Sequence, residues 1–251
     1  MESTKQHWES FWKQHFPDLE DRLPEYERNL VETVHRWIDV RGKKLMEVGC
    51  GSGRNSIHFA KMGAIVFVVD YSPEALAIVR TKARSEGVEI QVVEADAISL
   101  PFQNNEIDFI YHSGFLEHFP DPTRILQEQI RILKKGAYVL IDVPQKYTIY
   151  TLKKHYAMRR GTWYAGWETE YSPNQLRNLI RRQNLDIVDS YARGIALSFG
   201  WNLRKVVLKA ADLYRKTRGT TGPLTPQSRA PYRQKWIQYF TDCIGIVGQK
   251  R

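Results

Sequence analysis

The chain has 251 residues, 42% hydrophobic and 26% charged, with two cysteines and a formal net charge of +9. That length suits one large α/β domain or two small ones, and the composition is that of an ordinary globular protein. No apolar run reaches the roughly 20 residues that cross a bilayer, residues 1–8 lack the basic and apolar regions of a signal peptide, and Cys50 and Cys243 have no metal-ligand spacing, so a reducing, cytoplasmic setting is expected.

Residues 8–39 read as helical, because Trp8, Phe11, Trp12 and His15 recur at spacings of three and four, as do Leu30, Val34, Trp37 and Ile38. Pro17 and Pro24 divide the stretch. The apolar run 44–48 then leads into Gly49, Gly51 and Gly53 at alternate positions, followed by a helix-compatible segment from Ser56 to Met62. Strand, glycine turn and helix together bring bare backbone and a helix N-terminus up to a ligand. The third glycine comes one residue earlier than in the dinucleotide pattern Gly-x-Gly-x-x-Gly. Residues 64–69 are apolar without alternation, the mark of a strand buried on both faces, and end at Asp70. An acid at that tip can accept hydrogen bonds from both hydroxyls of a ribose. Ser72 and Pro73 open a helix through Glu86 as N-cap and first-turn residue.

Residues 89–94 form a third strand running into Asp96, and a turn at 104–106 feeds a fourth that ends near His112. An amphipathic helix over 123–133 is expected to close on Lys134, Lys135 and Gly136, with a fifth strand over 137–142. This alternation calls for a doubly wound parallel sheet. A capped helix over 172–184, a sixth strand over 186–191 and a seventh near 244–248 complete the order, with an insertion over 193–235. Within the insertion Leu203, Val206, Val207, Ala210, Leu213 and Tyr214 make a helical stripe flanked by Arg and Lys, and residues 218–233 read as a loop. Charge is unevenly placed: residues 145–235 hold 18 Lys/Arg and 5 Asp/Glu, the rest of the chain 19 and 23. Such a segment is either a solvated basic face or a surface for an anionic partner: an acidic small molecule, a membrane surface or RNA.

Four features in order resemble the motifs of class I S-adenosylmethionine-dependent methyltransferases, and in particular the type 11, quinone-biosynthesis-like group. They are Glu47-x-Gly49-x-Gly51-x-Gly53, Asp70, Asp96-Ala97 followed by Leu100-Pro101-Phe102, and the run Ser113–Pro122; together they span 76 residues. The resemblance implies a Rossmann-like seven-stranded α/β sheet, mostly parallel with an antiparallel last strand, within a single domain. It also implies S-adenosyl-L-methionine as cofactor. Glu47, Gly49, Cys50, Gly51 and Gly53 would then pack against its methionine part, Asp70 would hold the ribose, and Asp96 and Ala97 would meet the adenine. Tyr71 lies against the adenine or is ordinary packing. His112 and Ser113, at the exit of the fourth strand, would flank the sulfonium and amino group. Asp70 alone would serve a nicotinamide dinucleotide equally well. The cofactor core is 44–143, with residues 1–40 either a lid over the cofactor or padding on the sheet.

Two departures narrow the chemistry. Relatives that methylate base amines commonly carry Asn-Pro-Pro-Tyr at the fourth-strand exit, where this chain reads His112-Ser113-Gly114-Phe115. A metal-dependent branch uses Glu-x-x-Glu-His there; Glu117-His118 is present, but Gly114 replaces the first Glu, so no metal is expected. Residues 144–171 interleave aromatics with cations and leave the fifth strand at the edge where α/β sheets bind ligands. Tyr147, Tyr150, Trp163, Tyr164 and Trp167 are therefore candidate walls of an acceptor pocket, the alternative being a small core of their own. The acceptor is expected to be a small or lipid-like molecule with acidic or aromatic character; RNA is the alternative partner, and a non-catalytic scaffold the third reading. A general base is needed only if the acceptor loses a proton, and His112, His118, Tyr147 and His155 are candidates without a motif behind them.

Overall fold

The computed structural model describes residues 4–15, 28–195 and 241–251. The expectations placed on Pro17 and Pro24, on the stripe 203–214, and on the loop 218–233 lie outside the described residues. Strands β1 (Lys44–Val48), β2 (Ile65–Asp70), β3 (Gln91–Glu94), β4 (Ile107–Ser113), β5 (Leu133–Pro144), β6 (Leu185–Ile195) and β7 (Thr241–Lys250) form one sheet, ordered β3-β2-β1-β4-β5-β7-β6. The first five pair in parallel. β7 runs antiparallel to both β5 and β6. The helices are α1 (Lys5–His15), α2 (Arg28–Trp37), α3 (Arg54–Lys61), α4 (Pro73–Ser85), α5 (Thr123–Ile132), α6 (Ile149–Arg159) and α7 (Pro173–Arg182). Among the described residues, no helix is long and apolar enough to cross a membrane.

The unbroken apolar runs follow from burial on both faces. Met46, Ile110 and Ile141 face Ile125, Leu126, Leu176 and Ile180 of α5 and α7. Leu45, Phe109, Tyr111 and Leu140 face the opposite layer, built from Leu30 of α2, Phe59 of α3 and Leu76 of α4. Helix starts follow local chemistry: the Ser72 side chain accepts from the Ala75 N–H, and Ser172 and Gln175 form a capping box for α7.

Two sequence expectations are corrected. The helix expected over 123–133 is present to within one residue, but the fifth strand, expected from 137, begins four residues earlier. The helix stops at Ile132, and β5 begins at Leu133, whose fully buried side chain pairs with Ile107. Gly136 instead lies in a bulge, where the partners step from Ile107↔Leu133 to Phe109↔Tyr138. Burial of Leu133 in the sheet extends the strand back to the helix end. The stretch after β5 also carries a helix, α6, whose N-cap Thr148 accepts from the Thr151 N–H; no apolar periodicity announced it.

At the carboxyl edge, β4, β5 and β6 are tied by one buried carboxylate. Asp142 accepts from Tyr191 Oη at 2.6 Å, from Arg193 Nη2 at 2.6 Å and from Ser113 Oγ at 3.3 Å. The Tyr191 ring reaches Asp142 by crossing Gly245 of β7, where any Cβ would overlap the ring. This lock sets the strand ends against which the cleft is built.

Candidate active site

A cleft opens beyond the carboxyl ends of β1, β2 and β4, the edge at which sheets of this kind bind ligands. Its floor is the glycine turn. Gly49 has φ +67° and donates to Val69 O at 2.8 Å, and a Cβ there would collide with the Phe115 ring. Only glycine accepts that backbone angle without strain and admits the close approach. At the tip of β2, Asp70 is 8% exposed and its Oδ1 accepts from the Ser72 N–H at 2.9 Å. Burial raises its pKa, while backbone N–H groups of Ser72, Gly51, Tyr71 and Cys50 pull it back down. The far wall is the exposed Asp96, whose Oδ1 accepts from the Ile98 N–H at 3.1 Å, with Ala97 and the half-buried Tyr71 beside it.

Helix α1 lies across this cleft. The Trp12 ring comes within 2.9 Å of the place a Cβ on Gly51 would take, and Trp8 meets His118 edge-on at 4.7 Å. Lys13–Glu74 at 3.1 Å and Lys5–Glu94 at 3.2 Å pin the helix at two points; both pairs are exposed, so each holds it weakly. With Trp8, Trp12 and Phe115 projecting inward, the cleft has about 170 Å³ free, less than ligand pockets usually offer. A nucleoside-sized ligand therefore requires those rings to withdraw.

The structure brings Gly49, Gly51, Asp70, Tyr71, Asp96, Ala97 and His118 to the cleft surface, and leaves Glu47, Cys50, Gly53, His112 and Ser113 behind it. Glu47 turns to the other face of β1, where Ser56 Oγ donates to it at 2.5 Å beside Tyr111. Cys50 is buried, which pushes its thiol well up. Ser113 belongs to the Asp142 lock. None of Tyr147, Tyr150, Trp163, Tyr164 and Trp167 lines the cleft. Tyr147, Tyr164 and Trp167 are largely exposed. Tyr150 donates to Glu168 at 2.8 Å, and the Trp163 indole donates to Gly166 O at 3.0 Å. Tyr164 stacks on Phe11 of α1 at 5.8 Å. Of the cations interleaved with them, Lys154 pairs with Glu168 and Glu170; on β6, Arg193 pairs with Asp142. Residues missed in the sequence include Phe115 and Phe119, aromatics placed just after a strand-end glycine, a spacing that carries a usable signal.

Of the four candidate bases, only His118 lines the cleft. Its Nδ1 is 2.9 Å from Trp167 O, and since a carbonyl only accepts, Nδ1 carries the proton. Burial pushes its pKa down to about 4, so the ring is neutral near pH 7. His155 bonds Glu170 at 2.5 Å on α6. His112 is fully buried, neither ring nitrogen has a hydrogen-bond partner, and burial pushes its pKa down to about 3. A depressed pKa on a base means the unfolded chain takes the proton first. The stabilisation is whole above pH 6.5 and is lost as pH falls toward 3. His112→Phe is therefore expected to recover about 3 kcal/mol relative to the parent at pH 4, read from urea unfolding at pH 7 and pH 4; equal losses in both proteins would refute it. Among the described residues, no group of three or more His, Cys, Asp or Glu is placed to hold a metal ion.

The fold is the one that solved S-adenosylmethionine-dependent methyltransferases share, with the cleft at the carboxyl edge of the sheet. Residues 46–141 match the family described as a methyltransferase domain. The methyltransferase GfsG of Streptomyces halstedii is 33% identical over 129 residues, 50% of this chain and 46% of that protein. The ubiquinone biosynthesis O-methyltransferase of Cupriavidus pinatubonensis is 28% identical over 165 residues, 61% of this chain and 66% of that enzyme. The chain thus spans less than two thirds of either relative. Among solved structures, a SAM-dependent methyltransferase from Aquifex aeolicus superposes with a TM-score of 0.62 at 15% identity, covering 97% of this chain and 98% of that one. The [4+2]-cyclase SpnF superposes with a TM-score of 0.66 at 17% identity, covering 100% and 97%. A cyclase on the same fold shows that architecture alone does not choose the reaction.

Proposed function

We propose that this protein transfers a methyl group from S-adenosylmethionine to a small-molecule acceptor. The reading is carried by one constellation: a glycine turn at Gly49 and Gly51, Asp70 at the tip of β2 and Asp96 after β3, all bordering one cleft. These residues fit the cofactor, with the carboxylate of Asp70 taking ribose hydroxyls, Asp96 and Ala97 taking the adenine, and the bare backbone of the turn admitting the methionine portion. When bound, S-adenosylmethionine supplies a methyl on a sulfonium, a leaving group that needs no activation. The chain's contribution is then to align the acceptor and exclude water. Trp8 and Trp12 make α1 the water-excluding lid, whereas α2 packs on the sheet.

The acceptor stands on the side of Phe115, Phe119 and His118, which favours an aromatic or otherwise apolar body. An anionic acceptor draws less support, because Lys154 and Arg193 already face carboxylates. O-methyltransferases among the relatives make a hydroxyl the first acceptor to test, with His118 as the nearest imidazole. The free thiols of Cys50 and Cys243 accord with a cytoplasmic setting. RNA as acceptor rests on the charge of 145–235 alone, half of which falls outside the described residues. Calorimetry with S-adenosylmethionine tests the core of the reading: saturable 1:1 binding is expected, and absence of both heat and a thermal shift at millimolar ligand refutes it.

A further inference from the structure

Glu117 stands in the short 3-10 turn Leu116–His118 after β4, and Gly114 and Phe115 before the turn and His118 within it line the cleft. The residue itself is 2% exposed. Its Oε1 lies 3.7 Å from the position a Cβ on Gly114 would occupy, and its Oε2 is fully buried with no hydrogen-bond partner. Every element packed around it presents a titratable or charged group: Asp142 from β5, Arg193 from β6, Cys243 from β7, Tyr150 from α6, and Glu168 and Tyr171 from the loop after α6. Arg193 is already engaged bidentately by Asp142, and Lys154 lies on Glu168 and Glu170. The Glu117 carboxyl is thus a buried acid beside a ligand cleft with its neighbouring cations spent. Burial, with smaller contributions from Glu168 and Asp142, pushes its pKa up to about 8, against the pull of its own backbone amide and of Arg193. At neutral pH the empty protein therefore carries a proton there.

A buried acceptor without a partner is costly unless something else repays it. On the cofactor reading above, which this inference presupposes, the ligand arrives with a fixed positive charge at its sulfur and leaves without it. We propose that Glu117 is the counter-charge to that sulfonium, a carboxylate while the methyl donor occupies the cleft and a neutral acid when the cleft is empty or holds the demethylated product. Two consequences follow from charge balance. Loading the donor releases the Glu117 proton to solvent, whereas loading S-adenosylhomocysteine leaves it in place. Glu117 also favours the donor over the product, which share every other contact, by roughly tenfold for one charge pair in a partly screened interior.

The experiment is titration calorimetry of S-adenosylmethionine and of S-adenosylhomocysteine into the parent protein and Glu117→Gln at pH 7, in phosphate and in Tris. The dependence of the observed heat on buffer ionisation counts the protons released. The parent is expected to release close to one proton more with the donor than with the product. Glu117→Gln, which mimics the protonated acid, is expected to lose that difference, to bind the donor roughly tenfold more weakly, and to bind the product unchanged. An unchanged proton count or an unchanged ratio of the two affinities in the variant overturns the proposal. Should the variant fail to fold, the parent alone decides: its preference for donor over product should climb roughly tenfold from pH 6 to pH 8, and a flat ratio overturns the proposal. Failure of the parent to bind either compound would instead overturn the cofactor reading.

Discussion

Asp70→Asn is expected to weaken binding of S-adenosylmethionine and of S-adenosylhomocysteine alike, by about 10²–10³-fold, through the loss of two charge-assisted hydrogen bonds. The carboxylate is held in place by backbone amides. One oxygen accepts from the Ser72 N–H at 2.9 Å, and amides of Gly51, Tyr71 and Cys50 also point at the group, so its orientation is set before any ligand arrives. Prior orientation means a ribose pays no further ordering cost at the carboxylate. Asparagine keeps the shape and one acceptor for Ser72, but its second atom donates, and it repels a hydroxyl that has to donate. Alanine would also strip the partner from the backbone amides and loosen the turn, so asparagine is the cleaner probe. Calorimetry with both compounds gives the loss, and a melting curve shows whether the fold survives. A dissociation constant within threefold of the parent in a folded variant would remove Asp70 from the site.

Asp142→Asn is expected to cost about 3–5 kcal/mol of folding stability, the range found when one partner of a buried ion pair is neutralised. Asp142 is fully buried, and its two oxygens serve Tyr191, Ser113 and both Nε and Nη2 of Arg193. Asparagine leaves the guanidinium, a charge 13% exposed, facing a neutral amide in a site of low polarity. Urea unfolding at pH 7 measures the loss. The double variant Asp142→Asn/Arg193→Met should regain a good part of it, because the uncompensated charge is then gone along with its partner. A single variant as stable as the parent would mean that the carboxylate contributes nothing net. The same lock holds the ends of β4, β5 and β6, so loosening it is expected to be felt at Ser113 and Gly114 beside the cleft.

Much of this architecture was legible in the chain itself. Apolar runs such as 64–69, free of alternation, can be satisfied only by a strand covered on both faces, and alternating strands and helices then admit few topologies. The glycine turn and Asp70 were legible for a similar reason: a backbone angle open chiefly to glycine, and an acid at the end of an apolar strand, are local requirements that few arrangements besides a ligand-binding edge impose together. The antiparallel β7 came from the resemblance to a family rather than from any pattern in 244–248. Where local signals misled, a long-range contact was stronger. Lys134-Lys135-Gly136 reads as a helix stop and a loop, and the helix does end there, but the pairing of Leu133 with Ile107 draws these residues into β5.

The sequence by itself determined the parallel strands and the residues of the turn, because each is dictated by the period or angle of its own segment, while the cofactor and the antiparallel strand rested on the family resemblance. Only the tertiary structure decided which polar groups share a space. The aromatics of 144–171 looked like an acceptor wall, but a side chain's partners depend on elements far away in the chain: Trp163 and Tyr150 pack within their own module, and Tyr164 stacks on α1. The same holds for charge. The cations interleaved in 144–171 offer themselves to an anion in the sequence, but folding sets Glu168 and Glu170 against Lys154; Glu117, in the sequence half of an incomplete metal pattern, is enclosed beside the cleft. Burial and pairing are properties of neighbours in space, and a linear chain does not specify those one residue at a time.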